Sequence, residues 1–473
     1  VDLAHMPKDD PATYDMLCRA DTIGLFQVES RAQMASLPRF KPRTFYDVAM
    51  QVAIIRPGPI QGEAVNPLIE RRAGREPVTY WDPRLKPILE RTYGVVLFQE
   101  QLLRIAMELA NFTAGEADEL RRSIDFKRNQ ERMKKMEAKL RERLIANQTA
   151  AHATDKIIHA LSSFALYSFP ESHALSFALI AYTSAYLKVH RPAEFFVGLL
   201  NAQPMGFYSP STLVQDARRH GLIVRPVCIQ RSNDGATVEG EASFRVGLRA
   251  IAGLRAASIA SILRARAERP FGSVADFIRR TTMSTRERHT LSSSGALNQL
   301  AGSRRQALWE SARADLEFDL FAQAQSADAS SGLLTPMSIL ERVQADFATQ
   351  SLTTGDHPMK YLRPRFPDLW RADELPLGRN GARVKVGGSV ICRQRPGTAK
   401  GVVFLSLEDE SGVANAIVYP AIFERLRLVI TQNPALIIEG LLQSYDGVTH
   451  VQAEHISPLH CADLPEQASH DFH

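Results

Sequence analysis

The residues of this chain that are best suited to chemistry are the basic side chains between Arg121 and Arg143. Ten Lys and Arg residues lie in that stretch of the 473-residue sequence, against four Asp and Glu. A guanidinium group offers a planar fork of donors that matches phosphate oxygens, so a local excess of this kind is typical of a polyanionic partner. A solvated helix face with i, i+4 pairs, such as Glu131 with Lys135, explains the same charges. Charge alone leaves both interpretations open.

The remaining nucleophiles and metal-ligand types do not form a set that the sequence identifies. The four cysteines lie far apart and include no CxxC pair, which argues against a zinc ribbon or a disulfide scaffold and suits a reducing compartment. Ser172 and His173 are adjacent, but no GxSxG elbow is present, so we exclude a Ser-His hydrolase. A helix N-cap is the alternative role for Ser172.

The composition is that of an ordinary globular protein. Hydrophobic residues make up 45% of the chain and charged residues 23%, and the formal net charge is +5. This mix excludes disorder as the dominant state. No run of about 18 consecutive apolar residues predicts a membrane span. At roughly 100–200 residues per domain, the length predicts two to four domains.

Residues 1–205 are predicted to form a helical domain that positions the basic stretch. Apolar residues recur at helical spacing in Leu97–Ala110 and in Ser176–Leu187. Thr113 and Glu116 have the spacing of a capping box. The helix that begins there would carry the first arginines of the basic stretch about two turns further on.

Residues 206–325 are predicted to contain a short strand pair and two helix-hairpin-helix turns. The strands are Ile223–Val227 and Phe244–Leu248, which alternate polar and apolar residues. The turns are Ile251–Leu254 and Ser294–Leu297, whose backbone N–H groups can face a DNA phosphate without reading sequence. The expected DNA contacts of this segment are Gly253, Arg255 and Arg264.

Residues 381–460 change to strand periodicity, after a predicted linker or connecting region at 326–380. Five alternating segments, with a helix between the third and the fourth, have the order of an OB-fold barrel. Asp446-Gly447 predicts a hairpin turn between the last two strands. The predicted strands are Val384–Cys392, Val402–Leu407, Ala414–Val418, Ala435–Leu442 and Val448–Ala453, with a helix at Ala421–Ile430. Residues 461–473 are predicted to be a tail.

The loop between the first two predicted strands of the barrel is basic. OB-folds bind single-stranded nucleic acid on one face and in this loop. A barrel that only scaffolds is the alternative, and the DNA-like features upstream favour nucleic acid. The expected contacts are Arg393, Arg395 and Lys400.

Several motifs together resemble those of the bacterial C-family DNA polymerases, the DNA polymerase III alpha subunits. They occur in family order, and the resemblance covers almost the whole chain. The motifs are Gly24-Leu-Phe-Gln-Val-Glu-Ser-Arg31, Arg56-Pro-Gly-Pro59, Tyr93-Gly-Val-Val-Leu-Phe-Gln-Glu-Gln101, Ala117-Asp-Glu-Leu-Arg-Arg122, Phe169-Pro-Glu-Ser-His173 and Tyr186-Leu-Lys-Val-His-Arg-Pro-Ala-Glu-Phe195. The resemblance implies a multidomain, mainly α fold with polymerase fingers, a helix-hairpin-helix region and a C-terminal OB-fold barrel.

The subclass is indicated by Pro170-Glu171, which stands where replicative members carry Asn-Lys. This form, with the segments 201–210 and 393–398, resembles the error-prone branch, which works in damage tolerance and induced mutagenesis. The resemblance places three Mg²⁺-binding palm aspartates upstream of Val1, and neither Asp9-Asp10 nor Glu408–Glu410 replaces them. We therefore expect the C-terminal part of an error-prone DNA polymerase, without the PHP and palm regions and inactive by itself. The alternative is a non-catalytic DNA-binding remnant, or a split-polymerase subunit, that acts through its helix-hairpin-helix and OB domains.

The resemblance also implies which residues and partners matter. The implied contacts to the triphosphate of an incoming dNTP are Arg121, Arg122, Lys127, Arg128, Ser172 and His173. A helix end that is salt-bridged to Asp118 is the alternative for the first two. Leu320 and Phe321 resemble the apolar end of peptides that bind a sliding clamp, although a core helix end explains them equally well. The implied partners are primed template and single-stranded DNA, dNTP, the sliding clamp and mutasome accessory proteins, in the cytoplasm and without a membrane.

Overall fold

The computed structural model of the chain describes residues 5–55, 65–125, 130–164, 169–206, 208–317, 334–399, 401–459 and 469–472. The chain divides into two compact units. Unit 1 comprises Val1–Val189 with Asp446–Val448, and unit 2 comprises His190–Tyr445 with Thr449–His473. None of the helices in the described ranges is both long enough and apolar enough to cross a membrane.

Unit 1 is built from helices. They are α1 (Pro11–Cys18), α2 (Arg31–Phe40), α3 (Phe45–Ile54), α4 (Val65–Arg72), α5 (Lys86–Leu89), α6 (Gln99–Ala110), α7 (Ala114–Asp125), α8 (Gln130–Ala146), α9 (Ala151–Phe164) and α10 (Glu171–His190). The two helices predicted from apolar spacing are confirmed as α6 and α10. The second begins earlier than predicted, at Glu171, directly after Pro170, a residue that suits a helix start.

The core under the basic stretch is formed by α6, α7, α8 and α9. Its buried side chains include Leu102, Ile105, Leu120, Leu140 and Ile157, which recur at helical spacing on the inner faces. The predicted capping box at the start of α7 is confirmed. Thr113 Oγ1 accepts the Glu116 backbone N–H at 3.3 Å, and the Glu116 carboxylate accepts the Thr113 N–H at 2.9 Å. Packing and cap together fix the direction of α7.

Unit 2 combines helices with a small sheet and a barrel. Its helices are α11 (Pro192–Asn201), α12 (Pro210–Arg219), α13 (Ala256–Glu268), α14 (Val274–Arg280), α15 (Thr285–Ser294), α16 (Asn298–Ala301), α17 (Arg304–Glu317), α18 (Ile339–Gln350), α19 (Pro358–Leu362) and α20 (Pro420–Gln432). The small sheet contains β1 (Ile223–Arg225), β2 (Thr237–Gly240) and β3 (Ser243–Arg245), in the order β1-β3-β2. The predicted strand pair is therefore parallel and has a third member. We missed β2 because Thr237–Gly240 is short and mostly exposed.

The C-terminal barrel is closed by five strands. They are β4 (Arg383–Gln394), β5 (Val403–Glu408), β6 (Val413–Val418), β7 (Ala435–Tyr445) and β8 (Val448–Pro458), in the order β5-β6-β8-β7-β4, and β4 also pairs with β5. Since α20 lies between β6 and β7, the order is that of an OB-fold. Asp446 and Gly447 have φ angles of 49° and 79°, as a type I′ hairpin turn requires. The predicted fold class, mainly α with a C-terminal OB barrel, is confirmed.

Parts of the predicted linker and tail take regular structure. Within 326–380, α18 buries Val343 and Phe347, and α19 buries Met359 and Leu362. Within the predicted tail, β9 (His470–Phe472) pairs in parallel with the end of β4. The helix α19 and the strand β9 are too short for a periodic pattern, with five and three residues. The helix α18 has 12 residues and a Ser338–Glu341 capping box, a local signal that the prediction of a linker overlooked.

A buried histidine at the start of α19 gives unit 2 a pH-dependent stability. His357 is fully buried, and its Nδ1 accepts the backbone N–H of Met359 at 3.2 Å. Burial lowers the pKa of His357 from 6.5 to about 4, against the opposing effect of the nearby Asp409 carboxylate. The unfolded chain therefore takes up a proton at a higher pH than the folded chain does.

We expect the free energy of unfolding to fall as the pH drops from about 6.5 to 4, by about 3 kcal/mol at most from this residue. The variant His357→Asn keeps an acceptor for the helix start and removes the titration, so its unfolding free energy should depend less on pH in that window. Denaturant titrations at several pH values measure the difference. His455→Asn, at an exposed position, is the control. Equal slopes for His357→Asn and the parent chain would contradict the prediction.

Candidate nucleic-acid interface

The two arginines on the outer face of α7 share one carboxylate. Asp118 accepts hydrogen bonds from Arg121 Nε at 3.0 Å and Nη2 at 2.9 Å, and it lies 2.7 Å from Arg122 Nη2. The side chains of Arg121 and Arg122 are 42% and 61% exposed. Hydrogen bonds from Arg121 lower the pKa of Asp118, so the carboxylate stays charged and holds both forks. The pairing with Asp118 that we anticipated is present, and both guanidinium groups still reach solvent.

The rest of the basic stretch is less positive than its sequence suggests. Glu116 receives two hydrogen bonds from Arg143, at 2.9 and 2.6 Å, and lies 3.0 Å from Lys139 Nζ. Arg141 pairs with Asp155 at 2.8 Å. Both of these acids lie outside the stretch in which we counted charges. The excess of basic over acidic residues counted between Arg121 and Arg143 therefore overstates how many cations of α8 lack an acidic partner.

The N-terminal turn of α10 carries the Phe169–His173 motif. The Glu171 backbone N–H donates to the Glu100 carboxylate at 2.8 Å, and Tyr46 Oη donates to the Glu171 side chain at 2.7 Å. A carboxylate at a helix N-terminus satisfies free N–H groups and interacts well with the helix dipole. Ser172 is exposed and lies inside the first turn, so the alternative of an N-cap role is wrong.

Aromatic rings hold His173 at the surface of this turn. Its ring centroid lies 5.1 Å from that of Phe169 and 4.1 Å from that of Phe177. Phe177 also contacts Phe26 edge-on at 5.2 Å, which brings the motif at 24–31 to the same place. Two motifs that are about 140 residues apart thus meet in one aromatic cluster, in which Phe26 and His173 are exposed and Phe169 is buried.

Sequence reasoning assigned no role to three side chains beside this turn, which are Tyr46, Arg91 and Glu100. The Arg91 guanidinium lies over the Tyr46 ring at 3.8 Å from the centroid and 3.9 Å from the Glu171 carboxylate. Glu100 caps α10. The Gln-Glu-Gln run that contains Glu100 was the only available signal, and its position at the start of α6 gave no role for Glu100.

Other motif residues of unit 1 stabilise the fold. Gln101 Oε1 accepts the backbone N–H groups of Leu97 and Phe98, and Gln101 Nε2 donates to Thr92. Lys188 is buried and donates to Asp21 at 2.9 Å. Such residues explain part of the motif pattern without direct contact to a ligand.

The first hairpin of unit 2 is tied by Glu287. Its carboxylate accepts the backbone N–H of Arg255 at 3.1 Å and the Arg255 guanidinium at 3.0 and 2.7 Å. It also caps α15 through Ser284 at 2.9 Å. These hydrogen bonds, above all those from Arg255, hold the pKa of Glu287 well below its usual range. One carboxylate therefore occupies the start of α13, where we had expected a phosphate.

A hollow of about 410 Å³ lies beside the Gly253 turn. Gly253 has a φ of 76°, and a Cβ there would meet nothing within 4 Å. Arg286 and His289 of α15 line the hollow and are exposed, and no acid is among its described lining residues. Arg264 is exposed on α13. Arg286 and His289 were not predicted, because they come next to the Gly253 turn only through the packing of α15 in the folded protein.

The arginines of the barrel loop differ in exposure. Arg393 is 9% exposed and donates to the carbonyls of Ile430 and Asn433, at 2.7 and 2.6 Å. Arg395 is 44% exposed and lies over the Phe423 ring at 4.8 Å. The guanidinium of Arg393 is thus largely used inside the barrel, whereas Arg395 is accessible.

Some predicted site residues lie outside the described residues. They are Lys127, Arg128, Leu320, Phe321 and Lys400. The Arg56–Pro59 motif also lies outside the described residues.

The acids Glu408–Glu410, which we did not expect to bind metal, pair with arginines of the fold. Glu408 is buried and accepts from Arg219 at 2.9 Å and Thr212 at 3.1 Å. Arg363 donates to Asp409 at 3.0 Å and to Glu410 at 2.8 Å. A carboxylate cluster tied to arginines in this way is a poor ligand set for Mg²⁺, which needs oxygens free to face the ion.

Comparison with known proteins identifies relatives along the whole chain. A family model described as the bacterial DNA polymerase III alpha subunit finger domain matches residues 1–148, and a helix-hairpin-helix motif matches residues 221–307. An error-prone DNA polymerase of Anaeromyxobacter sp. strain K is 45% identical, with 100% of this chain and 43% of the relative covered. Those of Bordetella bronchiseptica and Dechloromonas aromatica are 44% and 43% identical, with 99% and 100% of this chain and 45% and 46% of each relative covered. The chain spans less than half the length of these relatives.

Proposed function

We propose that the chain forms part of an error-prone DNA polymerase of the bacterial C family, the DNA polymerase III alpha subunits, to which it is similar along its whole length. In this role unit 1 contacts the incoming dNTP and unit 2 contacts the template and primer. The polymerase acts in damage-induced mutagenesis and translesion repair, in the cytoplasm. The observation that carries the proposal is the similarity of the whole chain to 43% of an error-prone DNA polymerase, together with the exposed arginine pair on α7.

The proposed dNTP contact is the pair Arg121 and Arg122. Both forks are held by Asp118, so little side-chain entropy is lost when they bind a phosphate. A triphosphate competes with Asp118 for the same donors, and its higher charge favours the exchange. His173 and Ser172 are exposed at the start of α10, and Lys127 and Arg128 complete the proposed set.

The proposed DNA contacts of unit 2 lie in the hollow beside Gly253 and in the barrel loop. The hollow is lined by Arg286 and His289, and its described lining includes no acid. The helix that follows the turn carries the exposed Arg264. Arg395 represents the barrel loop. Arg393 has a smaller proposed role, because its guanidinium is buried and bonded to backbone carbonyls. Arg255 is 63% exposed beside Glu287, as the α7 arginines are beside Asp118, and remains a proposed contact.

The chemistry of this proposed enzyme requires Mg²⁺, which would be held by palm carboxylates that the chain's motifs do not include. Bound there, the two ions would activate the primer hydroxyl and stabilise the leaving pyrophosphate. This chain's own residues would orient the triphosphate and hold the primed template. A sliding clamp, bound through Leu320 and Phe321, and mutasome accessory proteins are the proposed protein partners.

The chain is expected to bind primed and single-stranded DNA without sequence preference. Affinity should fall steeply with salt, with a slope near −0.7 per phosphate contact on single strands, because each contact releases counterions. The double variant Arg286→Ala/His289→Ala should weaken binding by about 10-fold and reduce the salt slope by roughly one. Fluorescence anisotropy over a salt series measures both.

Arg379→Ala is the matched control for this experiment. Arg379 is exposed and lies in neither the hollow nor the barrel loop, so its loss removes one positive charge without touching a proposed contact. Affinity that is flat between low and high salt would argue against DNA binding by the chain. Equal losses in the control and the double variant would show that only net charge matters.

A further inference from the structure

A second cavity of unit 2, of about 550 Å³, shares no lining residue with the Gly253 hollow. We call it the arginine cavity. It is lined by residues around the small sheet, the α15–α16 turn, α18 and the 353–361 segment. Its volume is within the range of small-molecule sites. The lining arginines are Arg225, Arg231, Arg245, Arg304 and Arg342, against the single carboxylate of Asp346.

Two of these arginines have no acid of their own. Arg225 and Arg245 pair with Glu239 at 3.1 and 2.6 Å, and Arg304 pairs with Asp346 at 2.5 Å. Arg231 and Arg342 are exposed, and neither side chain has a hydrogen-bond or ion-pair partner among the described residues. Among the described residues, the five lining arginines are thus balanced only by Glu239 and Asp346, which leaves a local excess of positive charge.

Hydrogen-bond donors also converge at one wall, next to Gly295. A Cβ at this glycine would come within 2.9 Å of Arg304 Nε and 3.0 Å of Asn298 Nδ2. Arg304 Nε is buried and has no hydrogen-bond acceptor in the described part of the chain. Buried donors are nearly always satisfied, so an orphan donor on a cavity wall points to an absent acceptor. Gly295, Asn298 and Arg304 all line the cavity, so the acceptor would approach these donors from the cavity side.

We propose that the arginine cavity binds a phosphate-bearing small molecule of nucleotide size. Its phosphate oxygens would accept from Arg304 Nε and Asn298 near Gly295 and would face Arg231 and Arg342. The apolar part of the ligand would lie against Pro226, Ile339 and Val343, which line the same cavity. The concave shape suits a small molecule better than a continuous DNA backbone. The site belongs to unit 2 and is distinct from the dNTP contacts proposed on α7.

Isothermal titration calorimetry of the 473-residue chain with ATP and with inorganic pyrophosphate tests the proposal at fixed salt. Arg231→Ala and Arg342→Ala should each weaken binding of both probes by about 10- to 100-fold, the scale of a lost charged hydrogen bond. Both positions are exposed, so the fold should tolerate the changes. All titrations are made in the Arg121→Ala/Arg122→Ala background, so that the triphosphate contacts proposed on α7 do not add to the binding that is measured.

Arg427→Ala is the matched control, because Arg427 is an exposed arginine of unit 2 outside the cavity. Parent-like affinity in Arg427→Ala, with losses in both cavity variants, supports the proposal. Parent-like affinity in Arg231→Ala and Arg342→Ala would overturn it. Displacement of pyrophosphate by a short single-stranded oligonucleotide with matching stoichiometry would overturn it as well, because the cavity would then belong to the DNA path.

Discussion

The 473-residue chain is expected to incorporate no dNTP on a primed template with Mg²⁺. The reason is that its motifs do not include the metal-binding carboxylates of the family, and the Glu408–Glu410 acids are tied to arginines. Fused to or co-folded with a palm-bearing N-terminal segment, the same chain should extend the primer. Primer-extension gels measure the change from background to synthesis.

A fusion in which the palm aspartates are replaced by Ala is the control for that experiment and should stay inactive. Robust synthesis by the unaided chain would contradict the expectation. If the intact fusion folds and binds primed DNA but does not extend it, the chain is better described as a non-catalytic DNA-binding module.

The second large effect is expected from the arginine pair on α7 in the active fusion. Arg121→Ala or Arg122→Ala should lower kcat/KM for dNTP by about 10- to 100-fold, because a lost charged hydrogen bond costs roughly 1.5–3 kcal/mol. Arg→Lys should rescue only part of the loss, since an ammonium group cannot form the bidentate contact. Asp118→Asn should have a smaller effect, because the positive charges remain and only their orientation is lost. Single-nucleotide incorporation kinetics measure these values.

Arg141→Ala provides the matched control. Arg141 is also an exposed, acid-paired arginine of unit 1, with Asp155 at 2.8 Å, but it lies on α8 outside the proposed site. Its dNTP kinetics and the binding of DNA without nucleotide should barely change. Parent-like dNTP kinetics in both α7 variants would remove these arginines from the site.

Features that depend on local chain geometry could be predicted from the sequence. The barrel strands were predictable because alternation has period two in a strand, and the Asp446-Gly447 turn because its two positive φ angles suit those residues. The start of α7 was predictable because a capping box needs only Thr113 and Glu116. The motifs also indicated the polymerase family, which the relatives confirm over the whole chain.

Features that depend on contacts between distant segments were decided by the tertiary structure. The charge count placed Arg143 among the free cations, yet Glu116 from the preceding helix neutralises it. Arg393 was expected at the surface of a basic loop, yet the carbonyls of Ile430 and Asn433 bury its guanidinium.

The sequence by itself indicated the family, the order of the barrel elements and the residue types available for phosphate binding. The tertiary structure decided which of the arginines remain accessible. Composition cannot predict which arginines remain accessible, because the carboxylate or carbonyl that accepts hydrogen bonds from a guanidinium often lies far along the chain. Glu287, which pairs with Arg255, is an example. The Gly253 hollow and the arginine cavity are each lined by residues from distant segments, so only folding creates them. In the arginine cavity, folding also leaves Arg304 Nε without an acceptor among the described residues.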